Sequence, residues 1–353
     1  YRPSIHQLSL MKSLNDKCIL EWVIEKDKLD ISRKKMGWSE KFEVQYNLLP
    51  DFNSMRSFLN NIDDSFVHVF GGIRSSKNLT LIIKHLLGSG KRVFIQSEAP
   101  NYFGLKGLFR ILRTFSDNYY FYRKIEGVFA IGSLGFNFYN KTLPSSCKIY
   151  PWAYFIDKVK INTTNNNQSE IFKIIYIGSL TKTKGVIYIL KALNQINFDF
   201  KFSIIGKGPE FKKLNKFVSD HKKINDLVSF HDFIPNNDVQ KTISHQDLLI
   251  LPSINKDGWG VVVSEALSVG TPVIVSERCG SSVLLSDAIR GSIVKSSNVS
   301  SLKNAIINQI KKGKIKEETR NDIIKWSINL SADKAAEYMI DCINDKRAIA
   351  PWL

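Results

Sequence analysis

Short apolar, β-branched runs alternate with amphipathic helical stretches along almost the whole chain, and the alternation stops only once. Runs that are apolar at every position suit strands buried on both faces, and such strands occur in parallel sheets covered by helices. Before the interruption, strands are expected at Ile19–Ile24, Phe42–Tyr46, Phe66–Phe70, Arg92–Gln96, Val128–Gly132 and Lys148–Trp152. Helical segments lie between them, around Ile5–Leu14, Ser54–Asn60, Leu79–Leu87, Leu108–Tyr122 and Phe136–Tyr139. The interruption itself, Lys160–Glu170, is Asn/Thr-rich and nearly free of apolar residues, which reads as a linker. Strands then resume at Lys173–Ile177, Phe202–Ile205, Val228–Phe230, Leu248–Leu251, Val273–Val275 and Ser292–Val294, and three helical stretches close the chain. The expected fold is α/β, with two Rossmann-like, doubly wound domains facing a cleft. The first covers 1–157, a linker 158–171, the second 172–325, and final helices 326–353 pack back toward the first. In such sheets ligands sit beyond the carboxyl ends of the strands, so the loops after strands are the places to search.

Composition narrows the function. Of the 353 residues 43% are apolar and 24% charged, which excludes a disordered chain. No apolar run approaches the roughly 18 residues that cross a bilayer. Four scattered cysteines (Cys18, Cys147, Cys279, Cys342) indicate neither a disulfide framework nor a zinc site, and the cytoplasm is the expected compartment. The net charge of +17 attracts anions, and the excess is spread over both halves: up to Tyr150 there are 22 Lys and Arg against 13 Asp and Glu. That distribution is not a basic tail, and no nucleic-acid-binding motif accompanies it. The chain opens at Tyr1 without a signal-peptide pattern, and a short strand is expected to precede it.

Three loops carry the chemistry. Gly178-Ser-Leu-Thr-Lys-Thr-Lys184-Gly185 follows a strand and leads into a helix; a lysine there can meet a phosphate, or simply face solvent. Gly206-Lys-Gly-Pro209 suits a tight strand-to-helix corner, with or without a ligand. The third loop, after Leu248–Leu251, places Asp257 ahead of a helix beginning near Gly260 and Glu265 about one and a half turns into it. The unpaired amides of Gly258, Trp259, Gly260, Val261 and Val262 would form a helix N-terminus able to hold a diphosphate. Carboxylates on either side suit hydroxyls, one set from a sugar and one from a ribose. Glu265 lies in an apolar stretch, where a carboxylate needs donors to offset desolvation.

Gly-x-Leu-x(3)-Lys-Gly, Gly-x-Gly-Pro and an acidic-x7-Glu motif, in this order, resemble the C-terminal half of retaining family-4 glycosyltransferases of the GT-B fold, over Ile171 to about Val294. The first half is similar to that family's acceptor domain in pattern only. The resemblance implies that Lys184 binds the donor diphosphate with Gly178 and Ser179 beside it, and that Gly206 and Lys207 belong to the same donor site. It implies that Glu265 binds the ribose, that Asp257 with the amides of Gly258, Trp259 and Gly260 holds the transferred sugar, and that the amides of Val261 and Val262 support the diphosphate. Phe230–Pro235, with Phe233 and Ile234, falls where the family cradles the base. Two departures stand out: Ser179 replaces the family's usual arginine, and Asp257 replaces a glutamate.

Sugar transfer requires stabilisation of the departing diphosphate. The sequence has no Asp-x-Asp triplet to hold a divalent metal, so Lys184 and a helix N-terminus are expected to supply the positive potential, with no metal and no cofactor beyond the nucleotide-sugar donor. By resemblance the anomeric configuration is retained. On the acceptor side Glu98 closes a strand and either orients a hydroxyl or is a solvated loop glutamate. Gly71 and Gly72 suit a close-approach turn, with Arg74 as an anion contact, whereas His68 and His231 read as satisfied core histidines. Tyr102–Lys124 mixes eight aromatic residues with five basic ones and a single acid, Asp117. That pattern suits an anionic membrane surface, as it also suits a core helix with solvated charges.

The expected function is therefore a retaining, metal-independent glycosyltransferase of bacterial surface-polysaccharide type, such as O-antigen or capsule. Its partners would be a UDP- or GDP-sugar and a glycan or lipid-linked glycan acceptor, and it would be cytoplasmic or peripheral on the inner face of the membrane. A nucleotide-sugar epimerase of the same fold is the alternative, but it requires an acid/base pair that is not evident. A nucleic-acid-binding protein is the further one, and it would bind with steep salt dependence.

Overall fold

The computed structural model describes residues 5–25, 44–50, 54–156 and 171–353. They divide into two compact units: one holds the described residues up to Phe155 together with Ala332–Pro351, and the other holds Ile156, 171–331 and Trp352–Leu353.

The first unit opens with α1 (Ile5–Asn15), then a two-stranded parallel ladder of β1 (Val23–Ile24) and β2 (Asn47–Leu48), and α2 (Met55–Asn60). Next come β3 (His68–Phe70), α3 (Lys77–Gly88), β4 (Val93–Glu98), α4 (Leu105–Asp117), β5 (Gly127–Ile131), α5 (Gly132–Thr142) and β6 (Lys148–Trp152). A π-helical turn, Asn118–Tyr122, prolongs α4. β3, β4, β5 and β6 form a four-stranded parallel sheet in that order. Its core is built from Ile82, Ile83 and Leu86 of α3 against Val93, Ile95, Val128 and Ala130. The side-chain oxygen of Ser76 caps α3 by accepting from the Leu79 amide at 3.2 Å, satisfying one of the helix's first donors.

The second unit runs β7 (Phe172–Ile177), α6 (Val186–Leu193), β8 (Phe200–Ile205), α7 (Phe211–Ser219), α8 (Lys222–Asn225), β9 (Val228–His231), α9 (Asn236–Ser244), β10 (Leu248–Leu251), α10 (Val261–Ser268), β11 (Val273–Ser276), β12 (Gly291–Val294), α11 (Val299–Lys311) and α12 (Glu317–Ser327). All six strands are parallel, in the order β9-β8-β7-β10-β11-β12. The first strand of the unit is thus central, and the winding reverses between β7 and β10, which is where a doubly wound sheet opens a crevice for a ligand. Asp247 pins that junction by accepting from the Lys173 amide at 2.8 Å. The last helix, α13 (Ala332–Ile343), belongs to the first unit, where Tyr338 stacks on Trp152 with ring centroids 6.2 Å apart. The changeover falls at Ser331/Ala332 because α12 is tied into the second unit: buried Arg320 donates to the carbonyls of Val269 at 3.0 Å and Gln246 at 3.1 Å.

The strands expected at the start of the chain differ most. Ile19–Ile24 contracts to Val23–Ile24, with Ile19 exposed. Residues 42–43 of the expected Phe42–Tyr46 strand lie outside the described residues, and the strand forms at Asn47–Leu48. Among the described residues each of these strands pairs with one neighbour, and Asn47 and Leu48 are exposed, so burial contributes little to extending them. The linker 158–171 also lies outside the described residues, except Ile171.

Candidate functional site

The loops after β7, β8 and β10 are laced together at the crevice end of the second sheet. The Gly178 amide donates to the Ile205 carbonyl at 3.0 Å, the Leu180 amide to Lys207 at 2.8 Å, and the Ile254 amide to Thr183 at 2.9 Å. Gly206 sits at φ +143°, and a Cβ there would stand 1.9 Å from the Gly178 carbonyl oxygen. Only glycine fits, so the Gly-x-Gly corner is accounted for by loop-to-loop packing without a ligand.

Lys184 and Asp257 meet on this floor. The lysine Nζ lies 2.5 Å from Asp257 Oδ2, which also accepts from Ser253 Oγ at 2.8 Å. Backbone bonds hold the acid in place: its amide donates to the Arg278 carbonyl at 2.8 Å, and its carbonyl accepts from the Gly280 amide at 2.9 Å. The ion pair is only partly screened, with Lys184 26% and Asp257 13% exposed at the side chain.

Three residues on, the chain turns sharply into α10. Gly260 precedes the helix at φ +80°, and a Cβ there would lie 2.6 Å from Leu251 Cδ2 and 2.7 Å from Cys279 Sγ. The amides from Gly258 to Val262 have no acceptor among the described residues, so the first turn presents its donors and the positive end of its dipole. Glu265 follows four residues after Val261, on the same helix face. It is 7% exposed, its carboxylate has no hydrogen-bond partner among the described residues, and burial pushes its pKa up to about 7.

The side chain of Trp259 turns the other way. It is 1% exposed and donates Nε1–H to Ser264 Oγ at 2.9 Å, so the role expected of this residue is confined to its backbone. Ser179 is exposed, and its carbonyl accepts from the Tyr176 hydroxyl at 2.9 Å. Beyond β8 and β9, exposed Lys207 pairs with Asp232 at 2.5 Å and lies 5.9 Å from the centre of the Phe233 ring; Ile234 beside it is half-buried. The Lys207 ammonium and the Phe233 amide hold the Asp232 carboxyl below its ordinary pKa.

In the first unit, half-buried Glu98 ends β4, its Oε1 accepting from the Tyr154 hydroxyl at 3.3 Å and its carbonyl from the Tyr139 hydroxyl at 3.1 Å. Arg74 is already engaged: its Nε lies 3.1 and 3.2 Å from the two carboxylate oxygens of Asp117, and its Nη2 also contacts that carboxylate. The anion contact expected of Arg74 is therefore filled by the protein's own acid. Gly72 turns at φ +90°, and the Ser75 hydroxyl donates to the Gly71 carbonyl. His68 is not the satisfied core histidine expected, because its Nε2 is buried without a hydrogen-bond partner and burial lowers its pKa. His231 is not a core residue at all, being exposed with Nε2 2.9 Å from Ser229 Oγ.

Sequence spacing missed Ser253, which meets Asp257 within one loop, and Asp232, Asp117 and Tyr154, which reach their partners from other parts of the chain. Among the described residues no group of three or more His, Cys, Asp and Glu is arranged to hold a metal ion. No helix among them is long and apolar enough to cross a membrane.

Residues 157–328 match the family model described as Glycosyl transferases group 1. An uncharacterized glycosyltransferase of Methanocaldococcus jannaschii is 24% identical over 202 residues, 52% of this chain and 51% of that protein. The chain spans about half or less of the length of the first curated relatives it matches. Two solved structures align over nearly all of it. One is Anabaena HepE in complex with UDP, with a TM-score of 0.71 and 12% identity, covering 97% of each chain. The other is the lipopolysaccharide outer core galactosyltransferase WaaB in its apo form, at 0.70 and 17%, covering 96% of each. These likenesses establish the fold as GT-B, the class expected from the sequence.

Proposed function

We propose, from the match of residues 157–328 to the group 1 glycosyltransferase family model, that the chain moves a sugar from a UDP- or GDP-sugar onto a lipid-linked glycan, as in O-antigen or capsule synthesis. The observation that carries this reading is Glu265, a buried carboxylate without a donor, set one turn behind a row of unpaired amides. A buried carboxylate without donors is costly, and a ribose diol supplies two O–H donors while its diphosphate takes the amides of the first turn. HepE was crystallised in complex with UDP, which supports a nucleotide as the ligand of this chain.

In this reading Lys184 exchanges Asp257 for the diphosphate as donor binds, and Asp257, still fixed by its backbone bonds and Ser253, accepts from a hydroxyl of the transferred sugar. The anomeric C–O bond to phosphate breaks and its electron pair passes to the diphosphate, where Lys184 and the α10 amides stabilise the charge without a metal. The acceptor oxygen attacks the face the diphosphate leaves, retaining configuration, and its proton goes to a diphosphate oxygen. Glu98 orients a hydroxyl on the acceptor side. Such a chain works in the cytoplasm or on the inner face of the membrane.

Titrating UDP and GDP into the protein, then assaying a panel of their sugars for released nucleoside diphosphate, tests this. Saturable binding weakened about ten- to a hundredfold by Glu265→Gln is expected, the scale of one lost charged hydrogen bond. Equal affinity in wild type and variant would overturn the assignment.

A further inference from the structure

Helix α4 is seated with its amphipathicity reversed. A surface helix ordinarily buries its apolar stripe, yet here the buried positions are Gly107, Thr114 and Asp117. Gly107 is pressed so closely to the Tyr102 backbone that a Cβ would stand 2.2 Å from its carbonyl carbon, and Asp117 is held by Arg74. The apolar stripe faces outward instead: Leu105, Leu108, Phe109, Leu112 and Phe115 are all more than half exposed, Leu105 at 85% and Phe109 at 73%. They recur at i, i+3, i+4, i+7 and i+10 and so form one continuous face. Tyr119 and Tyr120 extend the exposed surface into the π-helical turn, at 66% and 62%. A contiguous patch of this kind marks an interaction surface.

The charges beside the patch select the partner. Lys106, Arg110 and Arg113 line one edge of α4, with Arg123 and Lys124 at its far end, and all are exposed. The only acid in the segment, Asp117, is turned inward onto Arg74. An apolar stripe flanked by uncompensated cations complements a surface that is oily beneath and negative above. We propose that α4 lies in the plane of an anionic bilayer, sinking its Leu/Phe face to the headgroup–acyl boundary while its cations meet lipid phosphates. The helix follows directly on the loop after Glu98, so docking would hold that strand end of the first unit close to the bilayer surface. The proposal does not depend on the chain transferring a sugar.

Flotation of the full chain with phosphatidylcholine vesicles, with and without phosphatidylglycerol, tests it. Wild type is expected to float with the anionic vesicles at low salt, to stay behind with neutral ones, and to be released by high salt. Replacing Lys106, Arg113 and Lys124 by Gln together should lower partitioning by roughly 100-fold, at about tenfold or less per cation. Phe109→Ser with Leu112→Ser should lower it at least about tenfold and leave the melting temperature unchanged. Absence of flotation at low salt, or flotation indifferent to both sets of variants, would overturn the proposal. A wild-type dimer in sedimentation that the serine variant dissociates would overturn it too, assigning the face to a second copy. So would a lowered melting temperature of the serine variant, which would make the stripe part of the fold.

Discussion

The two units use the same alternation of strand and helix, but they put their polar groups to different uses. In the second unit, β10 and β11 are buried along their whole length, and the loops after β7, β8 and β10 close on one another. There the protein leaves donors and a carboxylate unsatisfied: the α10 amides and Glu265. In the first unit, the groups expected at the corresponding strand ends are satisfied internally, Arg74 by Asp117, Gly71 by Ser75 and Glu98 by Tyr154. In the proposed reading the ligand would supply partners to the α10 amides and Glu265, and would displace the pairing of Lys184 with Asp257.

The contrast can be broken experimentally. The largest effect is expected at Lys184→Ala, with transfer lowered about 10²- to 10³-fold in turnover, the scale of losing one preorganised group aimed at developing charge. An undiminished rate would move the reaction elsewhere. Gly206→Ala should destabilise the chain by about 3 kcal/mol in denaturant unfolding, since the new Cβ runs into the Gly178 carbonyl at a φ that L-residues avoid.

Glu265→Gln separates the two uses most sharply, because ligand binding and stability should move in opposite directions. Folded Glu265 holds its proton up to about pH 7, whereas an ordinary glutamate releases it near 4.5. Stability therefore falls as pH rises through that window, and the deficit is complete above pH 7. Without ligand, the glutamine variant should be more stable than wild type by up to about 3 kcal/mol at pH 8, and the two should converge below pH 4.5. Nucleotide affinity of wild type should strengthen from pH 6 to 8, as the ionised carboxylate becomes the acceptor.

Asp117→Asn probes the satisfied side. Loss of the Arg74 pair should lower stability by about 1–2 kcal/mol, with nucleotide affinity unchanged. The smallest effect is expected at Lys207→Ala, whose ion pair with Asp232 is exposed on both sides; nucleotide affinity should change by no more than about fivefold. A larger loss would make this lysine a diphosphate contact equal to Lys184.

Legibility followed burial. Strands such as Leu248–Leu251 were expected at the residues where they form, because a run buried on both faces must be apolar throughout. The strands near residues 20 and 45 were not, since a short exposed pair obeys no such rule. The site was readable where one loop carries it, from Asp257 to Glu265. It was unreadable where a contact joins distant loops, as between Ser253 and Asp257 on one side and Lys184 on the other. His68 misled because alternation in a strand does not report whether a partner waits at the buried face, and His231 because it ends an edge strand whose face there is exposed.

By itself the sequence determined the α/β class and the loop from Asp257 to Glu265 that leads into a helix, because periodicity and glycine placement are local properties of the chain. Tertiary structure alone decided that Lys184 pairs with Asp257, that Trp259 turns inward, that Arg74 is consumed by Asp117, and that α4 shows its apolar face to the outside. Apart from the Trp259–Ser264 bond, which is local, these depend on which groups from distant parts of the chain arrive within hydrogen-bond or van der Waals reach, and no one-dimensional pattern encodes that distance.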